Sequence, residues 1–493
     1  MWLLLIILGS ITYFLVKRSV APITRTPVWI IWLVMMIPAV VWTIWYEVKG
    51  QTEPMPIVLV IAPLIICFTT YLWLIRLGQP VKEKEPLHDP TETNTAETEK
   101  SSPESGKLRP ITATEEKSLR DCFPWGVYYL QNLDYRPQAI LCRGKLRTAP
   151  EEAYKSIKKN IEQVFGDRFL ILFQEGLPGN PFFALVPNPW AKAEEKNEEK
   201  PLFRPWFALS LLLITLLTTT VIGTEMAGIS LENLSDNPSF LLQGLPYSLG
   251  LITILGIHEL SHYLMAVRYK VATTLPYFIP IPFFLGTFGA FIQMKSPVPH
   301  RKALFDVALA GPLAGFMATI PLLLWGISLS EVVPIPMEEE SHLFNFEALD
   351  PRFSFLFAVL VKVMLSGSFV AGKAIDLHPL AIAGYIGLIF TALNLMPVGQ
   401  LDGGHIVHGM YGQRTAVVVG QLTRVFMLVL AIIRPDFLLW AILLFLMPVS
   451  DQPALNDVTE LDDKRDFLGL FSLALLLLIL LPLPGAIAQW WQI

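Results

Sequence analysis

Long uninterrupted apolar runs recur from one end of this sequence to the other, and the charged residues fall between them. An α-helix needs about 20 apolar residues to cross roughly 30 Å of hydrocarbon. The runs Trp2 to Val16, Val28 to Trp45, Ile57 to Ile75, Trp206 to Ile222, Leu245 to Val267, Ala303 to Leu329, His378 to Leu395, Thr415 to Ile433, Phe437 to Met447 and Phe467 to about Gln489 are read as membrane spans. Phe353 to Leu365 is also apolar, but about 13 helical residues rise only about 20 Å, and the run contains Lys362. It is not expected to cross. The composition agrees: 53% of residues are hydrophobic and 16% charged, against about 25% charged in soluble proteins. That excludes a soluble multidomain enzyme and a disordered chain. A net charge of −5 with no basic stripe excludes a nucleic-acid binder. Cys67, Cys122 and Cys142 are too scattered for a disulfide framework or a Cys-rich zinc pattern.

The expected fold class is a mainly α-helical polytopic membrane protein of about ten spans. It carries a small cytoplasmic α/β domain and a short membrane-associated β segment. Residues 1–79 form an N-terminal membrane region with three spans. Residues 80–116 are acidic and poor in apolar side chains, so they cannot bury enough surface to offset their ordering entropy and read as a disordered linker. Residues 117–190 read as the α/β domain. Tyr128 to Leu130, Ala139 to Cys142, Phe169 to Phe173 and Phe182 to Val186 are its strands. A helix starts at Pro150, is apolar at Tyr154, Ile157, Ile161 and Val164, and ends at Gly166. Residues 191–205 are a charged linker, 206–450 a membrane core, and 451–493 a C-terminal loop and span.

Loop charges set orientation. No Lys or Arg lies between Arg204 and Arg268, or between Lys302 and Arg352, and both stretches carry acidic residues. Those loops should face away from the cytoplasm. Arg268, Lys270, Lys295, Arg301 and Lys302 should face it, as should the α/β domain.

Inside the run Leu245 to Val267 stands His258-Glu259-Leu260-Ser261-His262. On a helix, positions i and i+4 share a face, so both imidazoles reach one zinc ion, with Glu259 beside them able to take a proton from water. Three such side chains in mid-membrane are costly and need a reason; the plainer one is hydrogen bonding to neighbouring helices. A catalytic zinc takes three protein ligands. The best third candidate is Asp402, where an apolar run breaks in Asn394-Leu-Met-Pro397-Val-Gly-Gln-Leu401-Asp402-Gly403-Gly404-His405. A broken backbone at membrane depth is tolerated where it is buried in protein or lines a wet cavity. An interfacial helix cap is the alternative for Asp402. His405 and His408 are expected to line the polar cavity or its cytoplasmic rim, with support of Asp402 from behind or a substrate gate as the alternative, and Gly311 and Gly315 to let helices pack closely. Arg424 lies inside a run with no visible partner.

An H-E-x-x-H in one span with N-x-x-P-x-x-x-L-D-G in a later one resembles the site-2 protease family of intramembrane zinc metalloproteases, over roughly residues 206 to 450. The resemblance implies His258, His262 and Asp402 as ligands of one zinc per chain and Glu259 as the catalytic acid/base. It implies Asn394 as a substrate-binding residue, and GTFGAFIQMKS, with Gly286 and Gly289, as a β-like substrate-binding segment near the active site. The soluble domain resembles that of the plant-plastid and cyanobacterial branch known for ethylene-dependent gravitropism-deficient and yellow-green proteins. That branch carries G-N-L-R; here the residues are Gly144-Lys145-Leu146-Arg147, with Lys in place of Asn. The chain opens on an apolar run without a Ser/Arg-rich transit peptide, so a cyanobacterial plasma or thylakoid membrane is expected in preference to a plastid one.

The implied activity is hydrolysis of peptide bonds within or near transmembrane segments of membrane proteins, in the lipid bilayer and with no nucleic-acid partner. The competing classes are a non-proteolytic zinc transporter or sensor, and a scaffold with a vestigial site. A transporter needs ionisable residues along a continuous path, often with internal repeats. The sequence shows one cluster and no repeat.

Overall fold

The computed structural model describes residues 27–49, 111–136, 139–176, 180–189, 205–229, 237–282, 285–334, 349–365, 373–433 and 437–491, with a few single positions before residue 75. The expected spans Trp2 to Val16 and Ile57 to Ile75 lie outside these residues save for isolated positions, as do most of the two expected linkers. The chain divides into two compact units, Met1–Ser101 and Ser102–Ile493. In the first, α1 is the apolar helix Val28–Lys49.

The second unit begins with the α/β domain. Its first helix, α2 (Ala113–Asp121), starts before the expected boundary at residue 117 because Thr112 and Glu115 cap each other. The Thr112 hydroxyl accepts from the Glu115 N–H, and the Glu115 carboxylate accepts from the Thr112 N–H. Strands β1 (Tyr128–Arg136) and β2 (Ala139–Leu146) follow, then α3 (Pro150–Phe165), β3 (Phe169–Glu175) and β4 (Pro181–Pro187). Helix α3 opens on Pro150, carries Glu151 and Glu152 in its first turn, and buries Ala153, Tyr154, Ile157 and Ile161. The sheet is antiparallel throughout, in the order β1-β2-β4-β3. Its core centres on Tyr128, Phe173 and Phe183, the two Phe rings stacked at 4.2 Å between centroids.

Strand β3 is a sheet edge, and an open edge seeks a partner. Here the partner belongs to the membrane core. Phe173 N–H donates to Leu455 O (2.7 Å), and Asp457 N–H donates to Phe173 O (2.9 Å). The same segment pairs on its other side with the residues that lead into α6: Leu455 N–H donates to Val298 O (2.9 Å), and Asn456 N–H to Pro299 O (3.1 Å).

The membrane core runs α4 (Pro205–Met226), α5 (Leu241–Arg268), a hairpin of β5 (Tyr277–Pro280) and β6 (Thr287–Phe291), α6 (Arg301–Ser328), β7 (Glu331–Pro334), α7 (Phe355–Met364), β8 (Lys373–Asp376), α8 (Pro379–Leu395), α9 (Asp402–Ile433), α10 (Leu438–Leu446), α11 (Asp463–Leu480) and α12 (Gly485–Trp491). Among the described residues five helices are long and apolar enough to cross a membrane: α1, α4, α5, α6 and α9. The pair α11 and α12, bent by 71°, makes a sixth if it is one span. Of the other four expected spans, Trp2 to Val16 and Ile57 to Ile75 lie outside the described residues, and two are shorter helices. Helix α10 has only nine residues. Helix α8 has 17, and nearly every one is buried among its neighbours, so its all-round apolarity marks a helix enclosed by protein. Helix α7, with ten residues, rises about 15 Å and matches the expectation that Phe353 to Leu365 does not cross. Helix α9 is kinked at Gly412, whose φ of 82° a side chain would strain.

Candidate active site

Helix α5 carries His258, Glu259 and His262 in its last third, all buried. Helix α6 packs against this face, and two glycines make room for it. A Cβ at Gly311 would collide with the His262 ring, and one at Gly315 would lie 3.1 Å from His258 Nδ1. The small residues thus accommodate imidazoles as well as a helix backbone. The same helix orients one of them: His262 Nδ1 donates to Val307 O (2.7 Å). A carbonyl only accepts, so Nδ1 holds the proton and Nε2 presents its lone pair.

Helix α8 ends at Leu395 and a turn through Pro397 leads to Asp402, the first residue of α9. That turn brings the Asp402 carboxylate into the site, with Oδ2 3.4 Å from His258 Nε2 and 3.2 Å from His262 Nε2. The two Nε2 atoms are 3.0 Å apart. Two imidazole lone pairs and a carboxylate converge on one point, an arrangement that suits a cation. Tetrahedral zinc with bonds of about 2.0–2.1 Å spaces its ligand atoms about 3.3–3.4 Å apart, close to this triangle. The donor set of two nitrogens and one oxygen also fits zinc.

The triangle opens into a cavity of about 260 Å³. Glu259 lines it, as do Asn394, Gln400 and His405. Ile292, just past β6, lines the same cavity as Glu259. Asn394 Nδ2 lies 3.2 Å from His258 Nε2. The hairpin is held against the helices where Thr218 donates to Gly286 O (2.7 Å) and Tyr247 to Leu285 O (2.9 Å). Gly286 and Gly289 do not line the cavity; they have φ of 79° and 101° and shape the hairpin, while Ala290, Phe291 and Ile292 form the wall. The segment that the sequence singled out does supply the wall, through the residues that follow its glycines.

Sequence reasoning missed a buried polar network behind the site. His405 Nδ1 is 2.6 Å from Asp451 Oδ2, and His408 Nδ1 is 2.9 Å from the same oxygen. His408 Nε2 is 2.8 Å from Asp457 Oδ1. His408 is wholly buried and not on a rim. Burial raises the Asp451 carboxyl, but the two imidazoles bonded to it outweigh that and hold it down at about 2. Nothing in SDQPALND (450–457) marks its acids as partners of histidines some 45 residues earlier. Arg424 does have partners: its Nη2 donates to Met447 O (2.8 Å) and Pro448 O (3.1 Å), tying α9 to the end of α10.

Residues 246–433 match Peptidase family M50. The chain is 30% identical over 378 residues to the probable zinc metalloprotease EGY1, chloroplastic, of Arabidopsis thaliana, covering 71% of this chain and 67% of that protein. The chain belongs to peptidase family M50, the site-2 proteases. It is also 30% identical over 369 residues to the probable zinc metalloprotease EGY2, chloroplastic, of the same plant, covering 74% of this chain and 64% of the relative. It is 26% identical over 386 residues to the probable zinc metalloprotease EGY3, chloroplastic, of Oryza sativa subsp. japonica, covering 76% of this chain and 65% of the relative. The matches thus span about two thirds of these relatives' own length. No solved structure matches the chain significantly. The apolar helices and the M50 match make this an integral membrane protein of a zinc metalloprotease family. The relatives are named chloroplastic, which lends no support to the expected preference for a cyanobacterial membrane.

Proposed function

We propose that this chain is an intramembrane zinc endopeptidase that hydrolyses peptide bonds within or near transmembrane segments of other membrane proteins. The observation that carries the reading is the convergence of His258, His262 and Asp402 beside Glu259 in one cavity walled by membrane helices. His258, His262 and Asp402 are the residues to hold zinc. Bound there, zinc would supply Lewis-acid polarisation of the scissile carbonyl and of a water molecule. Glu259 takes the water proton and passes it to the leaving amine. Asn394, on the cavity wall beside His258, binds the substrate backbone.

A transmembrane helix hides its carbonyls in hydrogen bonds, so the substrate must unwind before it is cut. The sheet of β5 and β6 has two strands among the described residues, which leaves an edge of β6 for an extended substrate segment to join. Helices α1, α4, α5, α6 and α9 and the C-terminal pair α11 and α12 are then the membrane-embedded parts, and the α/β domain lies on the cytoplasmic side, where the basic residues cluster. A transporter or sensor is not favoured: it has no use for a Glu259 placed beside the metal donors in the same cavity. Zinc content and cleavage of a synthetic transmembrane substrate, measured on the same purified chain, test the reading. Zinc binding without cleavage would return the transporter or sensor.

A further inference from the structure

Besides the metal triangle, Glu259 and Asn394, the cavity is lined by two polar side chains, Gln400 and His405, and the second is held by a buried carboxylate. His405 sits three residues after Asp402 on α9, one helical turn along the same face, and lines the same cavity. Its Nδ1 faces Asp451 Oδ2 at 2.6 Å. Asp451 is itself fixed: it is buried, its Oδ1 accepts from Gln452 N–H, and its Oδ2 also faces His408. His408 spends both ring nitrogens on carboxylates and has none left for another task. His405 spends only one. The carboxylate accepts, so Nδ1 donates to it and Nε2 is the nitrogen left for another partner. Nε2 has no hydrogen bond among the described residues, and it is not among the buried polar atoms left unsatisfied.

We propose that His405 is a substrate-contacting residue of this site. Asp451 orients the ring, and Nε2 accepts a hydrogen bond from a backbone N–H of the unwound substrate segment next to the scissile bond. The chemistry suits the occupant. An unwound helix exposes N–H groups that need acceptors in a largely apolar environment. The Asp402 carboxylate and the two zinc-directed imidazoles are committed elsewhere. Ala290 and Phe291 of β6 line the same cavity as His405, so an extended backbone bound there has both a strand and an imidazole as polar partners. The inference rests on the protease reading above.

Two isosteres separate this role from a purely structural one. The Gln side chain places an acceptor oxygen near the position of Nε2, whereas the Asn side chain places an N–H near that of Nδ1, toward Asp451. The measurement is binding of a synthetic transmembrane peptide with a Gly-Pro-weakened centre to zinc-loaded E259Q protein in detergent, so that nothing is cleaved. Adding H405A should weaken binding about threefold to tenfold, the worth of one hydrogen bond, with zinc content unchanged. Adding H405Q should restore most of it, and H405N should not. In the Glu259 background, cleavage should follow the same order. If H405Q binds the peptide no better than H405N, the ring acts only through Asp451 and the proposal is overturned. If E259Q protein holds zinc but shows no saturable peptide binding at all, the protease reading itself fails and this inference falls with it.

Discussion

Each residue of the site owes its role to the group that holds it. Asp402 earns its place as a zinc donor only by lying within 3.2–3.4 Å of both imidazoles. D402A should therefore lower the zinc content of the purified protein well below one ion per chain. D376A, on β8, should leave it intact. Equal zinc in the two variants would leave Asp402 as a helix cap. His408 makes a different demand. It is buried between Asp451 and Asp457, and removing it strands buried carboxylate. Breaking such a pair costs about 3–5 kcal/mol. H408A should lower the melting temperature in detergent clearly more than H405A, which leaves His408 on Asp451. The two-histidine motif was legible in the sequence because its spacing is local, i and i+4. The acids behind it were not, because Asp451 and Asp457 approach His405 and His408 only after α9 and α10 have folded back.

At the scale of elements, the site depends on how closely α6 approaches α5. The sequence showed Gly311 and Gly315 as a packing pattern, which was correct but incomplete, since their hydrogens face the imidazoles. A graded outcome follows. G311A forces a Cβ into the His262 ring and should lower zinc occupancy sharply. G315A places its Cβ 3.1 Å from His258 Nδ1 and should have a smaller effect, since a shift of a few tenths of an ångström relieves it. Metal analysis of the two proteins checks the order, and a more severe G315A would contradict the packing described. The broken run at Pro397 was readable as a turn. That one helix, kinked at Gly412, joins Asp402 to the apolar run from Thr415 was not, because the residues between, GGHIVHGMY, mix glycine, histidine and apolar side chains with no clean helical stripe.

Over the whole molecule, the membrane core and the α/β domain meet through main-chain hydrogen bonds of β3 with residues 455–457. The segment that receives the domain also supplies Asp451 and Asp457 to the active-site helix. Apolar run length revealed that the chain is a membrane protein, and five to six of the expected spans stand among the described residues; length and apolarity alone do not separate a lipid-facing helix from one enclosed by protein, as α8 is. Sidedness remains testable. Cys122 and Cys142 are buried and will not label, so a cysteine at exposed Lys159 on α3, in a chain with Cys67 replaced by Ser, is the suitable probe. It should resist an impermeant thiol reagent added outside intact cells and label after lysis; labelling from outside would invert the topology.

The most direct test of the account is zinc-dependent cleavage of a synthetic transmembrane substrate by the purified chain, with E259Q as the comparison. Wild-type protein should yield products cut within or near the transmembrane segment, lose the activity on chelation and regain it with zinc. E259Q should hold zinc and yield no product. Cleavage by E259Q at the wild-type rate, or none by zinc-loaded wild-type protein, would contradict the assignment of Glu259 as the proton carrier of an intramembrane protease.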